Sequence, residues 1–255
     1  MTRTSPEATT RTDPEVGPHT SRTDPEATPR TVAVVAVVNA TPASMRPADD
    51  GLGEGFPEAT AWHLLDDRLV TEADAAGGMT PALMRRMLAL IDYAVRGGAD
   101  AVLLSCSMYG PAAEVARRLH EVPVTGSDEA MFAEVARRRP GRVLVLGSLA
   151  SAAADSARRL GQVAHGVGVR AISAPGAVAA ATAQNWPDLT DALTLAARPA
   201  LDGADLVLLG QYSISPVRAD LADRLGVPVL SPPLAAATAL RQALNFGTRT
   251  FGART

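Results

Sequence analysis

The sequence contains no lysine, and all 24 of its basic side chains are arginine. Without an ε-amino group the chain cannot form an internal Schiff base, which excludes pyridoxal phosphate chemistry and lysine-type aldolases. It also lacks the lysine of a phosphate-binding P-loop. Cysteine is nearly as scarce: the single thiol, Cys106, permits no intrachain disulfide and no cysteine-rich zinc site. Aromatic residues make up 4%, so a core must be built from the Ala, Val and Leu that dominate the 47% hydrophobic content. No stretch of roughly 18 apolar residues occurs, and the N-terminus is polar and proline-rich where a signal peptide would be basic and then apolar. The sequence therefore reads as cytoplasmic, with no membrane partner. A net charge of −3, without any basic run interleaved with aromatics, argues against a nucleic-acid partner. His19, His63, His120 and His165 are too scattered for metal-ligand spacing, so neither a metal nor another cofactor is expected.

What is present falls into two parts. Over residues 1–30 the hexapeptide Arg-Thr-Ser/Asp-Pro-Glu-Ala/Val recurs at Arg3, Arg11 and Arg22, with almost no apolar side chains besides Ala and Val. Such a segment cannot bury enough surface to offset its ordering entropy and reads as a disordered tail. From Thr31 onward, short apolar runs alternate with helical patterns. Val32–Val38 is a continuous β-branched run of the kind buried on both faces of a parallel sheet. Leu83, Met84, Met87, Leu88, Ile91 and Val95 give the stretch from Pro81 to Val95 the spacing of an amphipathic helix. Further strands are expected at Ala101–Leu104, Arg142–Leu146, Leu206–Leu209 and Val227–Leu230. The alternation predicts an α/β fold with parallel sheets.

An internal comparison refines this. Gly98-Ala-Asp-Ala-Val-Leu-Leu104 aligns with Gly203-Ala-Asp-Leu-Val-Leu-Leu209 at an offset of 105, and the same offset pairs Pro111 with Pro216 and Val122-Pro-Val124 with Val227-Pro-Val229. Ten of 27 positions are identical without a gap, which predicts two similar, pseudo-symmetric lobes. The first is expected over residues 31–126 and the second over 127–231, with a C-terminal helix over 232–247 packing back on the first. Ligands of such lobes bind outside the carboxyl ends of the strands, here Ser105-Cys106-Ser107 and Gly210-Gln211-Tyr212. Cys106 ends a buried strand just before a helix that starts near Pro111, where backbone amides and the helix dipole would favour a thiolate. The alternative is an inert buried cysteine.

Two α/β lobes related by duplication, with Gly-Ala-Asp-x-Val-Leu-Leu-x-Cys in the first, resemble the cofactor-independent aspartate/glutamate/hydantoin racemase superfamily over roughly residues 31–247. The resemblance implies a PLP-independent isomerase in which each lobe supplies one cysteine. One thiolate would remove the proton from the carbon next to a carboxylate, and the opposite thiol would return one. Cys106 matches the first cysteine, with Ser107 in place of the usual asparagine. Gln211 stands where the second belongs, and Tyr212 and Ser213 replace its Thr-His partner. An amide is neither a general acid nor a general base near neutral pH, so Tyr212 is the remaining candidate for a second acid. Decarboxylases of the superfamily also keep one cysteine, but at the position that Gln211 occupies here.

The expected substrate is a small carboxylic or amino acid. Asn39, Thr41 and Ser44 after the first strand, Ser105 and Ser107 beside the thiol, and Ser148 and Ser213 in the second lobe are expected to cradle its carboxylate through hydroxyls and backbone amides. Ser151 is a helix cap or a further contact, and Tyr109 a packing residue that could touch substrate. A decarboxylase and a non-catalytic small-acid binder remain the alternatives, and a homo-oligomer is compatible with either. Asp66-Asp67 looks like a paired acid site, but adjacent residues do not face each other, so loop or capping roles are expected. Gly51-Leu-Gly-Glu-Gly55 reads as a flexible loop, a lid near the crevice.

Overall fold

The computed structural model describes residues 32–246; the expected disordered tail lies outside them. Strands β1 (Ala33–Asn39), β2 (Ala59–Leu65), β3 (Ala101–Leu104) and β4 (Val124–Thr125) form one parallel sheet in the order β2-β1-β3-β4. Strands β5 (Arg142–Gly147), β6 (Gly168–Ser173), β7 (Leu206–Leu209) and β8 (Val229–Leu230) form a second with the equivalent order β6-β5-β7-β8. The two parallel sheets that the duplicated segments predict are thus present. The central strands β1, β3, β5 and β7 are almost fully buried, as continuous Val/Leu runs covered on both faces must be. The edge strands β2 and β6 are half-exposed and more polar.

The repeated Gly-Ala-Asp has a structural explanation in both copies. Gly98 and Gly203 adopt left-handed backbone angles, φ 92° and 65°, which glycine tolerates without a Cβ penalty. The aspartate then pins the incoming strand to its neighbour: Asp100 Oδ2 accepts from the Val34 N–H at 2.8 Å, and Asp205 Oδ2 from the Arg142 N–H at 3.0 Å.

Among the described residues, ten α-helices flank the strands: α1 (Met45–Gly55), α2 (Leu69–Ala75), α3 (Pro81–Arg96), α4 (Gly110–Leu119), α5 (Glu129–Arg138), α6 (Ala150–Val163), α7 (Ala177–Thr182), α8 (Trp186–Ala197), α9 (Arg218–Leu225) and α10 (Pro232–Ala243). The expected amphipathic helix is α3, capped by Thr80, whose hydroxyl accepts from the Leu83 N–H, and started by Pro81. It buries Leu83, Met87 and Ile91 on one face of the first sheet with α4, as α8 and α9 do on the second sheet. The opposite face of each sheet is covered by a helix of its own lobe, α1 on the first and α6 on the second, together with a helix that follows the other sheet in the chain. Helix α5, which leaves the first sheet at β4, buries Met131, Phe132 and Val135 against Val143, Val145, Leu206 and Leu208 of the second. Helix α10, which leaves the second sheet at β8, buries Ala236, Ala237 and Leu240 against Val35, Val37 and Leu103 of the first. The lobes therefore exchange a helix each.

One expectation is corrected. Gly51-Leu-Gly-Glu-Gly55 is not a loop but the second half of α1. The weak helix propensity of its glycines is overridden by packing on α10. Gly51 and Gly55 lie one turn apart on the same face, and a Cβ at Gly51 would come within 2.7 Å of Pro233, one at Gly55 within 2.9 Å of the Thr238 hydroxyl. The absent side chains let the two helices approach. Gly51→Ala is therefore expected to destabilise by about 1–3 kcal/mol through overpacking, a drop of several degrees in Tm for a chain of this size. Gly53→Ala, whose Cβ would meet nothing within 4 Å, is expected to gain up to about 1 kcal/mol of helix propensity. Thermal melts of the two variants check this, and equal shifts in both would contradict it.

Candidate active site

The strand order decides where the site lies. From β1 the chain crosses to β2 on one side and returns to β3 on the other, so the loops after β1 and β3 part at the carboxyl edge and leave a crevice. The same division occurs between β5 and β7. The segments leaving all four of these strands come together, and Thr41, Ser44, Ser105, Cys106, Ser107, Gln211, Tyr212 and Ser213 line one cleft of about 240 Å³. Cys106 of the first lobe and Gln211 of the second thus border the same space from equivalent positions.

Two predicted contacts stand behind this wall. Asn39, fully buried, accepts from the Ser105 hydroxyl at 2.8 Å and the Ser44 hydroxyl at 3.3 Å, which fixes the two cleft serines. Its amide nitrogen donates to the Val37 carbonyl and meets His63 Nδ1 at 3.1 Å, whose Nε2 lies 2.7 Å from Asp49. Ser148 lies beside the cleft, and its backbone N–H and hydroxyl both reach Gln211 Oε1, at 2.7 and 2.9 Å. Because a backbone N–H can only donate, this pair fixes which end of the carboxamide is oxygen. Among the described residues, Gln211 Nε2 has no partner, so its two N–H donors are left for a ligand.

Cys106 is partly buried, at the start of a 3₁₀ turn that leads into α4. The helix start alone leads to the expectation of a stabilised thiolate, and the structure corrects it. Burial pushes the thiol pKa up and the carboxylate of Asp128 pushes the same way; the backbone amides of Met108 and Tyr109 and the charge of Arg159 oppose them but do not prevail. These influences favour the protonated thiol over the thiolate.

Asp128 is a residue the sequence reading missed. Although buried, it carries a carboxylate that accepts from the Ser127 hydroxyl at 2.5 Å and pairs with Arg159 at 2.7 Å, and Arg159 also binds Asp155 at 2.8 Å. Ser127, Asp128, Asp155 and Pro232 also line the cleft. The only sequence signal for Asp128 is its place three residues after β4. Tyr212 borders the cleft, but its hydroxyl is buried with no partner among the described residues, and burial together with Asp128 raises its pKa.

The remaining candidates lie elsewhere. Tyr109 is a packing residue: fully buried, it donates to the Leu69 carbonyl at 3.0 Å, and burial pushes its phenol up to about 12. Ser151 is exposed on the first turn of α6 and borders no part of the cleft. Asp66 binds Arg86 and the Arg68 N–H, away from the cleft, and Asp67 is exposed. Among the described residues no three His, Cys, Asp or Glu side chains are grouped to hold a metal, and no helix is long and apolar enough to cross a membrane.

Two parallel α/β lobes that meet at their carboxyl edges around a hydroxyl-rich cleft with a single thiol define the pseudo-symmetric racemase architecture. The chain belongs to the Asp/Glu/hydantoin racemase family, whose model matches residues 17–247. Among solved structures it is similar in fold to an aspartate racemase of Picrophilus torridus, at 10% identity and a TM-score of 0.64, over 84% of this chain and 94% of that one. It is also similar to an allantoin racemase of Pseudomonas fluorescens, at 18% identity and a TM-score of 0.62, over 84% and 92% of the two chains. A third likeness is to an unliganded arylmalonate decarboxylase, at 17% identity and a TM-score of 0.58, over 86% and 95%. Among curated proteins, none matches.

The raised pKa makes a distinct expectation for the thiol. Alkylation of Cys106 by iodoacetamide at pH 7 should be slower than that of free cysteine, and its rate should still be climbing above about pH 9, past the ordinary thiol range. Asp128→Asn removes a charge that opposes the thiolate and should accelerate the reaction. A rate that levels off below pH 8 would contradict this placement of charge.

Proposed function

We propose that the chain is a cofactor-independent enzyme of isomerase type that moves a proton at the carbon next to the carboxylate of a small acid, with Cys106 as its acid/base. The observation that carries this reading is that Cys106 and Gln211 occupy equivalent strand ends and border one cleft. The thiol serves one face of the reacting carbon. On the other face Gln211 cannot exchange a proton near neutral pH, but its free N–H donors can hold a carboxylate and strengthen that hold as negative charge moves onto the oxygens. Asp128 and Asp155 are both engaged by Arg159. The phenol of Tyr212, with its raised pKa, is a neutral donor at most. Ser44, Ser105, Ser107, Thr41 and Ser213 supply hydroxyls for the carboxylate, and the backbone amides that open the turn after Cys106 add to them.

The place of the thiol on one side of the cleft, with its pKa pushed up by burial, supports a second reading, decarboxylation. Loss of carbon dioxide from a geminal diacid leaves the electron pair of the broken carbon–carbon bond on an enediolate. The Cys106 S–H then protonates that carbon, and the resulting thiolate regains a proton from water. Both readings use one-sided proton transfer, so the isomerisation of the first is a double-bond shift in which the proton is returned at another carbon of the same molecule, since inversion would need a second acid on the Gln211 face.

Cys106→Ala is expected to lower turnover at least about 100-fold, the lower range of a positioned acid/base. Because the sulfur lies at the edge of a cleft, the stability cost should stay below about 1.5 kcal/mol, less than a sealed core truncation. Gln211→Cys should restore a thiol on the second face and introduce racemisation of a chiral acid. A fully active Cys106→Ala enzyme would remove the thiol from the mechanism.

A further inference from the structure

We propose that His63 is a positioning residue for the cleft: as the Nε2–H tautomer anchored on Asp49, it accepts from the carboxamide of Asn39 and so keeps the carboxamide oxygen turned towards Ser44 and Ser105. The inference rests on the reading of the cleft as the place where a carboxylate is held. His63 lies on the edge strand β2, two residues beyond Ala61 and therefore on the sheet face that α1 covers. Its side chain is 17% exposed, and that of Asp49 on α1 is 53% exposed. A line of hydrogen bonds thus runs from a solvent-facing carboxylate, through the imidazole and the fully buried Asn39, to two hydroxyls of the cleft wall. Ser105, at the end of that line, directly precedes Cys106.

The directions along this line are fixed by its backbone partners. Asn39 Nδ2 lies 2.9 Å from the Val37 carbonyl and 3.3 Å from that of Leu64. Carbonyls only accept, so this end of the carboxamide is the nitrogen. The same nitrogen lies 3.1 Å from His63 Nδ1, which must then be an acceptor without a proton. The proton of the neutral ring sits on Nε2, where Asp49 Oδ1 accepts it at 2.7 Å. At the other end the carboxamide oxygen accepts from Ser105 at 2.8 Å and from Ser44 at 3.3 Å. The two hydroxyl oxygens lie 2.9 Å apart, and Ser44 also reaches the Thr41 carbonyl at 2.9 Å. Two hydroxyl protons serve this whole set. With Ser105 committed to Asn39, the proton of Ser44 is the one that can leave the Thr41 carbonyl for a ligand's carboxylate. A ring with its proton on Nδ1 would set donor against donor, turn the carboxamide away from the serines and undo that arrangement.

Propionate is the probe, and its protection of Cys106 from iodoacetamide reads the affinity of the cleft without requiring turnover. At about pH 8, above the ordinary imidazole range, long-range proton–nitrogen NMR spectra show the tautomer of each of the four histidines, and the signals lost in His63→Asn belong to His63. The expected result is a bare Nδ1 and a protonated Nε2. His63→Val, a residue type that suits an edge strand, removes the acceptor. It should weaken propionate about three- to tenfold, the net worth of one hydrogen bond. His63→Asn, whose Oδ1 can accept from Asn39 as Nδ1 does, should bring binding back to within about twofold of the wild type. A merely structural role for the ring would leave the two variants equally weak. The Nδ1–H tautomer, unaltered binding in His63→Val, or equal losses in both variants would overturn the proposal. Any of these results with protection intact in the wild type spares the reading of the cleft. A wild-type thiol that propionate does not protect overturns that reading and, with it, the role of His63.

Discussion

The exchange of helices between the lobes is the constraint on which the rest depends. A parallel sheet has two apolar faces, and on one face of each sheet the helix of its own lobe, α1 or α6, is joined by a helix that follows the other sheet in the chain. Helix α5 supplies Phe132 and Met131 to the second sheet, α10 supplies Leu240 and its alanines to the first, and the two helices also pack on one another. Each sheet buries part of its core against a helix that follows the other. The carboxyl edges that carry Cys106 and Gln211 are held around one cleft by that exchange, and the glycines of α1 are the local adaptation that lets α10 come close enough.

This scaffold sets the chemistry through desolvation. Removing Cys106 from water costs its charged form more than the nearby amides return, and buried Asp128 adds to the cost. Asp128 is tolerable there because Arg159 and the Ser127 hydroxyl occupy its oxygens; an unpaired carboxylate at that depth would be neutralised. Ser148 performs a similar service for Gln211 by engaging its carbonyl and leaving the donors free. The cleft therefore presents hydroxyls, amide donors and one proton-bearing sulfur, a set suited to holding a carboxylate and moving a proton beside it.

Much of this was legible in the sequence where burial leaves a continuous signature. The Val/Leu runs of the four central strands and the repeated Gly-Ala-Asp marked the sheets, and the duplication brought Cys106 and Gln211 into correspondence. The edge strands β2 and β6 escaped notice because half-exposed strands such as Gly168-Val-Arg-Ala-Ile-Ser173 carry no apolar run. Helix α1 was misread because Pro47, Gly51, Gly53 and Gly55 disfavour a helix locally, and the packing that rewards them involves residues nearly two hundred positions away. Asn39 and Ser148 were legible as site residues by position, yet what they touch, the serines and Gln211, is a tertiary fact. Asp128 and Arg159 meet only once α5 and α6 are packed, so no local spacing announces them.

The central claim is that protons are exchanged on one face only, and the fate of solvent deuterium tests it most directly. Turnover of a prochiral or geminal diacid in deuterium oxide, followed by chiral separation and NMR of the product, should show deuterium at the reacting carbon in a single enantiomer, because the proposed mechanism delivers it from Cys106 alone. Deuterium distributed equally between both enantiomers would mean that a second acid serves the face assigned to Gln211, and would contradict the account.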